Sequence, residues 1–141
     1  MIGMGQVQDI MEKNVITLEY NKSALDASKI LKEKEISFLV IQKDGNPIGL
    51  VTERDIVRKI AAEDKKSSEL TIQEVMSKNF KWVKPEEDIE NAIQKMLNNN
   101  IRRLLVLNND KLVGVITQTD LSVFLRSKLL INSTVDKLES D

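Results

Sequence analysis

Gly49-Leu50-Val51-Thr52-Glu53-Arg54-Asp55 returns as Gly114-Val115-Ile116-Thr117-Gln118-Thr119-Asp120, at an offset of 65 residues. In each stretch a β-prone apolar run passes into polar residues that suit a helix N-terminus, with Gly, Thr and Asp three apart. Working outward at the same offset, Val7-Gln8-Asp9-Ile10-Met11 falls on Ile72-Gln73-Glu74-Val75-Met76, Lys13-Asn14 on Lys78-Asn79, Ala27 on Ala92, Ile36 on Ile101 and Leu39 on Leu104. A register that holds without a gap across apolar, glycine and polar positions encodes two equivalent supersecondary units.

Each unit reads as β-α-β-β-α. Val15-Ile16-Thr17-Leu18 and Phe80-Lys81-Trp82-Val83 are short β-prone leading strands. Ser23 and Asp88 are N-cap candidates before runs with apolar residues at helical spacing: Leu25, Ala27, Ile30 and Leu31, then Ile89, Ala92, Ile93, Met96 and Leu97. Phe38 to Ile41 and Leu104 to Leu107 are apolar throughout and short, as strands buried on both faces are. Asp44-Gly45-Asn46 and Asn108-Asn109-Asp110 tolerate positive φ and close hairpins onto Ile48 to Val51 and Val113 to Ile116. A second helix follows each hairpin, with Ile56, Val57 and Ile60 as its stripe in one copy and Leu121, Phe124 and Leu125 in the other. The expected fold class is α/β (α+β): repeat 1 with its linker over residues 1–70, repeat 2 with a C-terminal tail over 71–141, together one module.

Composition narrows the function. The 21 Lys and Arg balance 22 Asp and Glu to a net charge of -1, so nothing pulls the chain toward phosphate backbones. Zero cysteines and zero histidines remove thiolate nucleophiles, imidazole bases and nearly every zinc or transition-metal site; no catalytic residue and no metal site is expected. No apolar run approaches the ~20 residues of a membrane helix. Met1 to Gly5 lacks a charged-then-apolar signal design, so a cytoplasmic protein is expected.

The Thr-x-x-Asp of the duplicated corner has two readings. It is close to a capping box, in which the threonine hydroxyl accepts from a first-turn amide and the acid reaches back. It is also a place where helix amides and the positive dipole end receive an anion, threonine donates to a phosphate, and aspartate suits ribose hydroxyls. The glycine permits close approach of a ligand or a neighbouring strand, and a β-bulge explains it equally well.

Two β-α-β-β-α copies, each closing with Gly-x-x-Thr-x-x-Asp and opened by Val7 to Met11 or Ile72 to Met76, resemble a tandem pair of cystathionine β-synthase (CBS) domains over about Val7 to Leu130. The resemblance implies sheets packed about a pseudo-twofold axis, two ligand clefts, and frequent homodimerisation. It implies AMP, ADP or ATP as ligand, with S-adenosylmethionine ranked behind them and no obligatory cofactor. Carried over residue by residue, the main cleft would use Thr117 for phosphate and Asp120 for ribose. Arg102 and Arg103 stand where relatives carry basic phosphate ligands, with Val115 beside them and Thr17, Leu18, Ile36 and Ser37 opposite. The second cleft keeps Thr52 and Asp55, replaces the arginines by Ser37-Phe38, and would line the base with Trp82 and Ile101, so its phosphate affinity should be weaker. The family's frequent histidine beside the arginine is absent, and Lys34 and Asn99 stand where a glycine commonly ends the first helix.

The function implied is a non-catalytic sensor in which an adenine nucleotide alters packing or dimer contacts and an unidentified effector protein reads the change. The alternatives are a dimerisation or docking protein with empty clefts and, least favoured by the charge, a weak nucleic-acid binder.

Overall fold

The computed structural model describes the backbone of residues 3–140 and the side chains of residues 3–130. The first repeat supplies β1 (Thr17–Glu19), α1 (Ala24–Lys34), β2 (Phe38–Lys43), β3 (Asn46–Thr52) and α2 (Glu53–Ile56), which runs on as a π-helical turn, Val57–Ala61. The second supplies α3 (Ile72–Val75), β4 (Trp82–Val83), α4 (Ile89–Asn99), β5 (Arg103–Asn108), β6 (Lys111–Thr117) and α5 (Gln118–Ser140), while Val7–Asp9 forms a 3-10 turn at the position equivalent to α3. The fold is α/β, with two three-stranded sheets ordered β1-β2-β3 and β4-β5-β6.

In both sheets the leading strand runs parallel to its neighbour, Thr17 opposite Val40 and Trp82 opposite Leu105, because a helix crosses over between them. The hairpin turns put two successive residues at positive φ, Asp44 (52°) and Gly45 (79°), then Asn109 (50°) and Asp110 (66°), the geometry whose twist matches the flanking strands. The leading strands start at Thr17 and Trp82, two residues later than the β-prone runs at Val15 and Phe80.

Ser23 caps α1 as expected: its hydroxyl accepts from the Asp26 amide at 3.0 Å and its amide donates to Asp26 Oδ2 at 3.1 Å. Asp88 makes no side-chain cap bond to α4, contrary to expectation; its backbone carbonyl accepts from the Asn91 amide instead. Both helices end in left-handed geometry, α4 at Asn100 (φ 51°) and α1 at Glu35 (φ 53°). Asparagine adopts that conformation readily, whereas glutamate does so at an energetic cost. Glu35→Gly should therefore stabilise the protein by about 0.5–1 kcal/mol, read as a higher urea midpoint at unchanged slope; an unchanged or lower midpoint contradicts this account of the cap.

The chain divides into two compact units that do not follow the repeat boundaries. One comprises Asn14–Phe80 with Asn109–Leu112, and the other Met1–Lys13, Lys81–Asn108 and Val113–Asp141. Each sheet is thus completed by the opening segment of the other repeat. In the first unit, the Ile72 amide donates to the Lys22 carbonyl (2.8 Å), the Ala24 amide to Leu70 (2.8 Å), and Leu50 and Ser77 exchange two bonds along the outer edge of β3 (2.9 and 2.8 Å). In the second, shifted by the repeat offset, Val7 donates to Glu87 (2.9 Å), Ile89 to Gly5 (2.9 Å), and Glu12 and Val115 exchange two bonds along β6 (2.8 and 3.0 Å). These bonds close edges that would otherwise offer unpaired backbone to another chain.

The cores follow. Ile72, Val75 and Met76 pack with Ala27, Leu31, Leu39, Ile41 and Val51 in the first unit; Val7 packs with Ile89, Ala92, Leu104, Val106 and Ile116 in the second. The helical stripes are narrower than the periodicity suggests. Val57 is 58% exposed and Leu97 71%, so the apolar face ends one position short of each. Leu125 is exposed as well. Among the described residues no helix is long and apolar enough to cross a membrane.

Candidate functional site

The duplicated corners lie where β3 enters α2 and β6 enters α5. In the second unit, the Thr117 amide and hydroxyl both donate to Asp120 Oδ2 at 2.9 Å, and the Asp120 amide donates back to the Thr117 hydroxyl at 3.2 Å. In the first unit Thr52 and Asp55 repeat the pattern at 3.0, 3.2 and 3.2 Å. The capping reading is therefore realised at both corners. It carries a chemical consequence, since a threonine hydroxyl has one proton and here Asp takes it. Thr117 or Thr52 can donate to a phosphate only by releasing that carboxylate.

The next amides are also engaged, Gln118 to the Arg102 carbonyl (2.9 Å) and Glu53 to the Ser37 carbonyl (3.0 Å). These bonds tie the start of each helix to the residue that leads into the middle strand, and so hold Arg102 beside the Thr117 corner.

The motif glycines answer to packing. A Cβ on Gly114 would lie 2.6 Å from Met11 Sδ and 2.9 Å from the Glu12 carbonyl oxygen. On Gly49 it would lie 2.6 Å from Met76 Sδ and 3.0 Å from the Ser77 carbonyl oxygen. Close approach of the exchanged segment, not of a ligand, requires glycine here.

The second unit brings together Arg102, Arg103, Thr117 and Asp120. Arg102 is exposed, and Arg103 opens β5 half-buried. Val115 stands near them, but its side chain is fully buried and its backbone is bonded to Glu12, which leaves it nothing to offer a ligand except core support. Ile101 packs against the second core, and Trp82 is 40% exposed, with Lys95 Nζ 5.8 Å from its ring centroid and donating to its carbonyl at 2.6 Å. In the first unit Thr17 and Leu18 sit half-buried on β1; Leu18 and Ile36 pack against the first core, and Ser37 is exposed.

Sequence reasoning missed one residue. Lys59 Nζ lies 3.1 Å from Asp55 Oδ1 and donates to the Val75 carbonyl at 2.8 Å. The signal was available as an acid and a lysine four apart on a helix. At the equivalent position the second repeat has Phe124, and among the described residues Asp120 has no ion-pair partner. Beside Lys59 a hollow of about 460 Å3 is lined by Arg58, Lys59, Glu63, Lys65, Leu70, Glu74 and Val75, none of them a residue assigned to a ligand from the sequence.

The CBS domain profile matches this chain twice, over residues 7–62 and 72–127. The chain belongs to the CBS-domain family. CBS-domain pairs are regulatory modules. A solved CBS domain pair, that of protein MJ0100 in complex with 5′-methylthioadenosine and S-adenosyl-L-methionine, is 33% identical with a TM-score of 0.77, over 87% of this chain and 97% of its own. An uncharacterized conserved protein from Pyrococcus horikoshii shares the fold at a TM-score of 0.80 and 24% identity, over 89% of this chain and 96% of its own. The CBS domain-containing protein YhcV of Bacillus subtilis is 29% identical over 85% of each chain. Homoserine O-acetyltransferase of Methanohalobium evestigatum is 36% identical over 82% of this CBS pair. The CBS pair spans 23% of that enzyme and 60% of the uncharacterized protein MK0525 of Methanopyrus kandleri.

Proposed function

We propose that this CBS pair is a regulatory sensor of an adenine nucleotide, with its principal ligand contacts at the Thr117–Asp120 corner. The observation that carries the reading is the state of Asp120: Oδ2 is committed to the cap, while among the described residues the carboxylate has no ion-pair partner, which supports a role for Oδ1 in accepting from a ribose hydroxyl. Arg102, Arg103 and the positive end of the 23-residue α5 supply charge for phosphate. That charge favours AMP, ADP or ATP over S-adenosylmethionine, whose sulfonium is itself cationic. Thr17, Leu18, Ile36 and Ser37 keep the base-lining role that the family resemblance assigns them, and Thr52, Asp55, Trp82 and Ile101 the weaker second role.

Self-association and read-out by an effector protein belong to the same proposal. The first is supported by Val123, Leu129 and Leu130, which are 57%, 69% and 63% exposed on α5. In the docking-protein alternative the corners only cap helices.

Mass spectrometry of small molecules released from the natively purified protein tests the reading without presupposing the ligand. An adenine compound is expected, and the same compound added back should raise the melting temperature with concentration. Release of none, with no shift from any adenine nucleotide at millimolar concentration, leaves the docking alternative.

A further inference from the structure

We infer that Lys59 is an internal competitor for Asp55 that holds the first-unit corner in a low-affinity state, so that the two corners fill in order. The inference rests on the nucleotide reading above and adds one side chain to the missing arginines as a cause of the difference between the two sites. The corners are otherwise superimposable in their bonding: each Thr amide and hydroxyl donates to one carboxylate oxygen, and each Asp amide donates back. What differs is the other oxygen. Asp55 Oδ1 faces the Lys59 ammonium at 3.1 Å, and Lys59 is steadied from behind by the Val75 carbonyl at 2.8 Å. The Asp55 side chain is only 15% exposed, which limits the water that could weaken the pair.

A hydroxyl reaching Asp55 must share or displace that ammonium, whereas at Asp120 the equivalent residue is Phe124, which packs against the second core and offers no charge. Lys59 reaches its position from the π-helical turn Val57–Ala61, a rare geometry that the second repeat lacks, since α5 is regular through Ser122 to Arg126. The other charged side chains about it, Arg58, Glu63, Lys65 and Glu74, line the hollow beside Lys59. Of these Glu74 is already engaged by the Thr71 amide and hydroxyl.

Calorimetric titration of AMP into the full chain tests the inference. The wild type should show a strong event and a weak one. Lys59→Met and Lys59→Gln, which remove the charge, should each tighten the weak event roughly fivefold, the scale of one partly exposed ion pair, and leave the strong event unchanged. Lys59→Arg, which keeps the charge, should behave as the wild type. A weak event that is unchanged or weaker in both neutral variants overturns the inference while the strong event stands. Absence of any event in the wild type removes the nucleotide reading and this inference together. Lys59 is 44% exposed, so the neutral variants should fold, and a circular-dichroism melt of each verifies it.

Discussion

Gly114→Ala is expected to destabilise the protein by about 2–3 kcal/mol, a large part of the stability of a small module. The added Cβ would meet Met11 Sδ at 2.6 Å and the Glu12 carbonyl oxygen at 2.9 Å. A thioether can swing away, but the carbonyl belongs to the backbone pair that Glu12 makes with Val115 at 2.8 and 3.0 Å, so relief requires loosening that pair and opening the edge of β6. Trimming the sulfur should therefore recover only part of the loss. In Met11→Ala/Gly114→Ala the cost should fall by less than half relative to the sum of the single variants. Urea unfolding measures all of these. A Gly114→Ala protein as stable as the wild type would show that the exchanged segment does not sit where it is described.

That exchange is the part of the fold the sequence could not convey. The repeat register fixed which residues are equivalent, and local chemistry marked the Ser23 cap, the left-handed Asn100 and the two hairpin turns. Whether Ile72 docks on the sheet of its own repeat or of the other is a different question. Two copies of one pattern offer chemically equivalent docking grooves, so periodicity is the same in both arrangements, and only the path of the chain separates them. Helical periodicity likewise indicates the direction of the apolar face but not its width, which is why Val57 and Leu97 belong to the periodic stripe and yet lie in solvent. At the corners, Thr-x-x-Asp was legible as a cap or as a ligand site because both uses need the same residue types. The hydrogen bonds add that the cap engages the threonine proton and one carboxylate oxygen, so any ligand must depend chiefly on the other. The Asp55–Lys59 pair was visible as a spacing, but nothing in the spacing said that it touches the oxygen a ligand would need.

The second large effect follows from that oxygen. Asp120→Asn should keep much of the cap, because the asparagine carbonyl can still accept from the Thr117 amide, and the melting temperature should change little. It removes the charge that a ribose hydroxyl would bond, a charge-assisted bond of about 1.5–3 kcal/mol, so AMP affinity should fall roughly 10- to 100-fold. Asp55→Asn should alter the strong event by less than threefold, since its carboxylate is already held by Lys59 and serves the other corner.

Isothermal titration of AMP into wild type, Asp120→Asn and Asp55→Asn puts the central claim to its most direct trial. The account predicts that the strong event weakens roughly 10- to 100-fold in Asp120→Asn and changes by less than threefold in Asp55→Asn; equal affinity in all three, or weakening in Asp55→Asn alone, would contradict it.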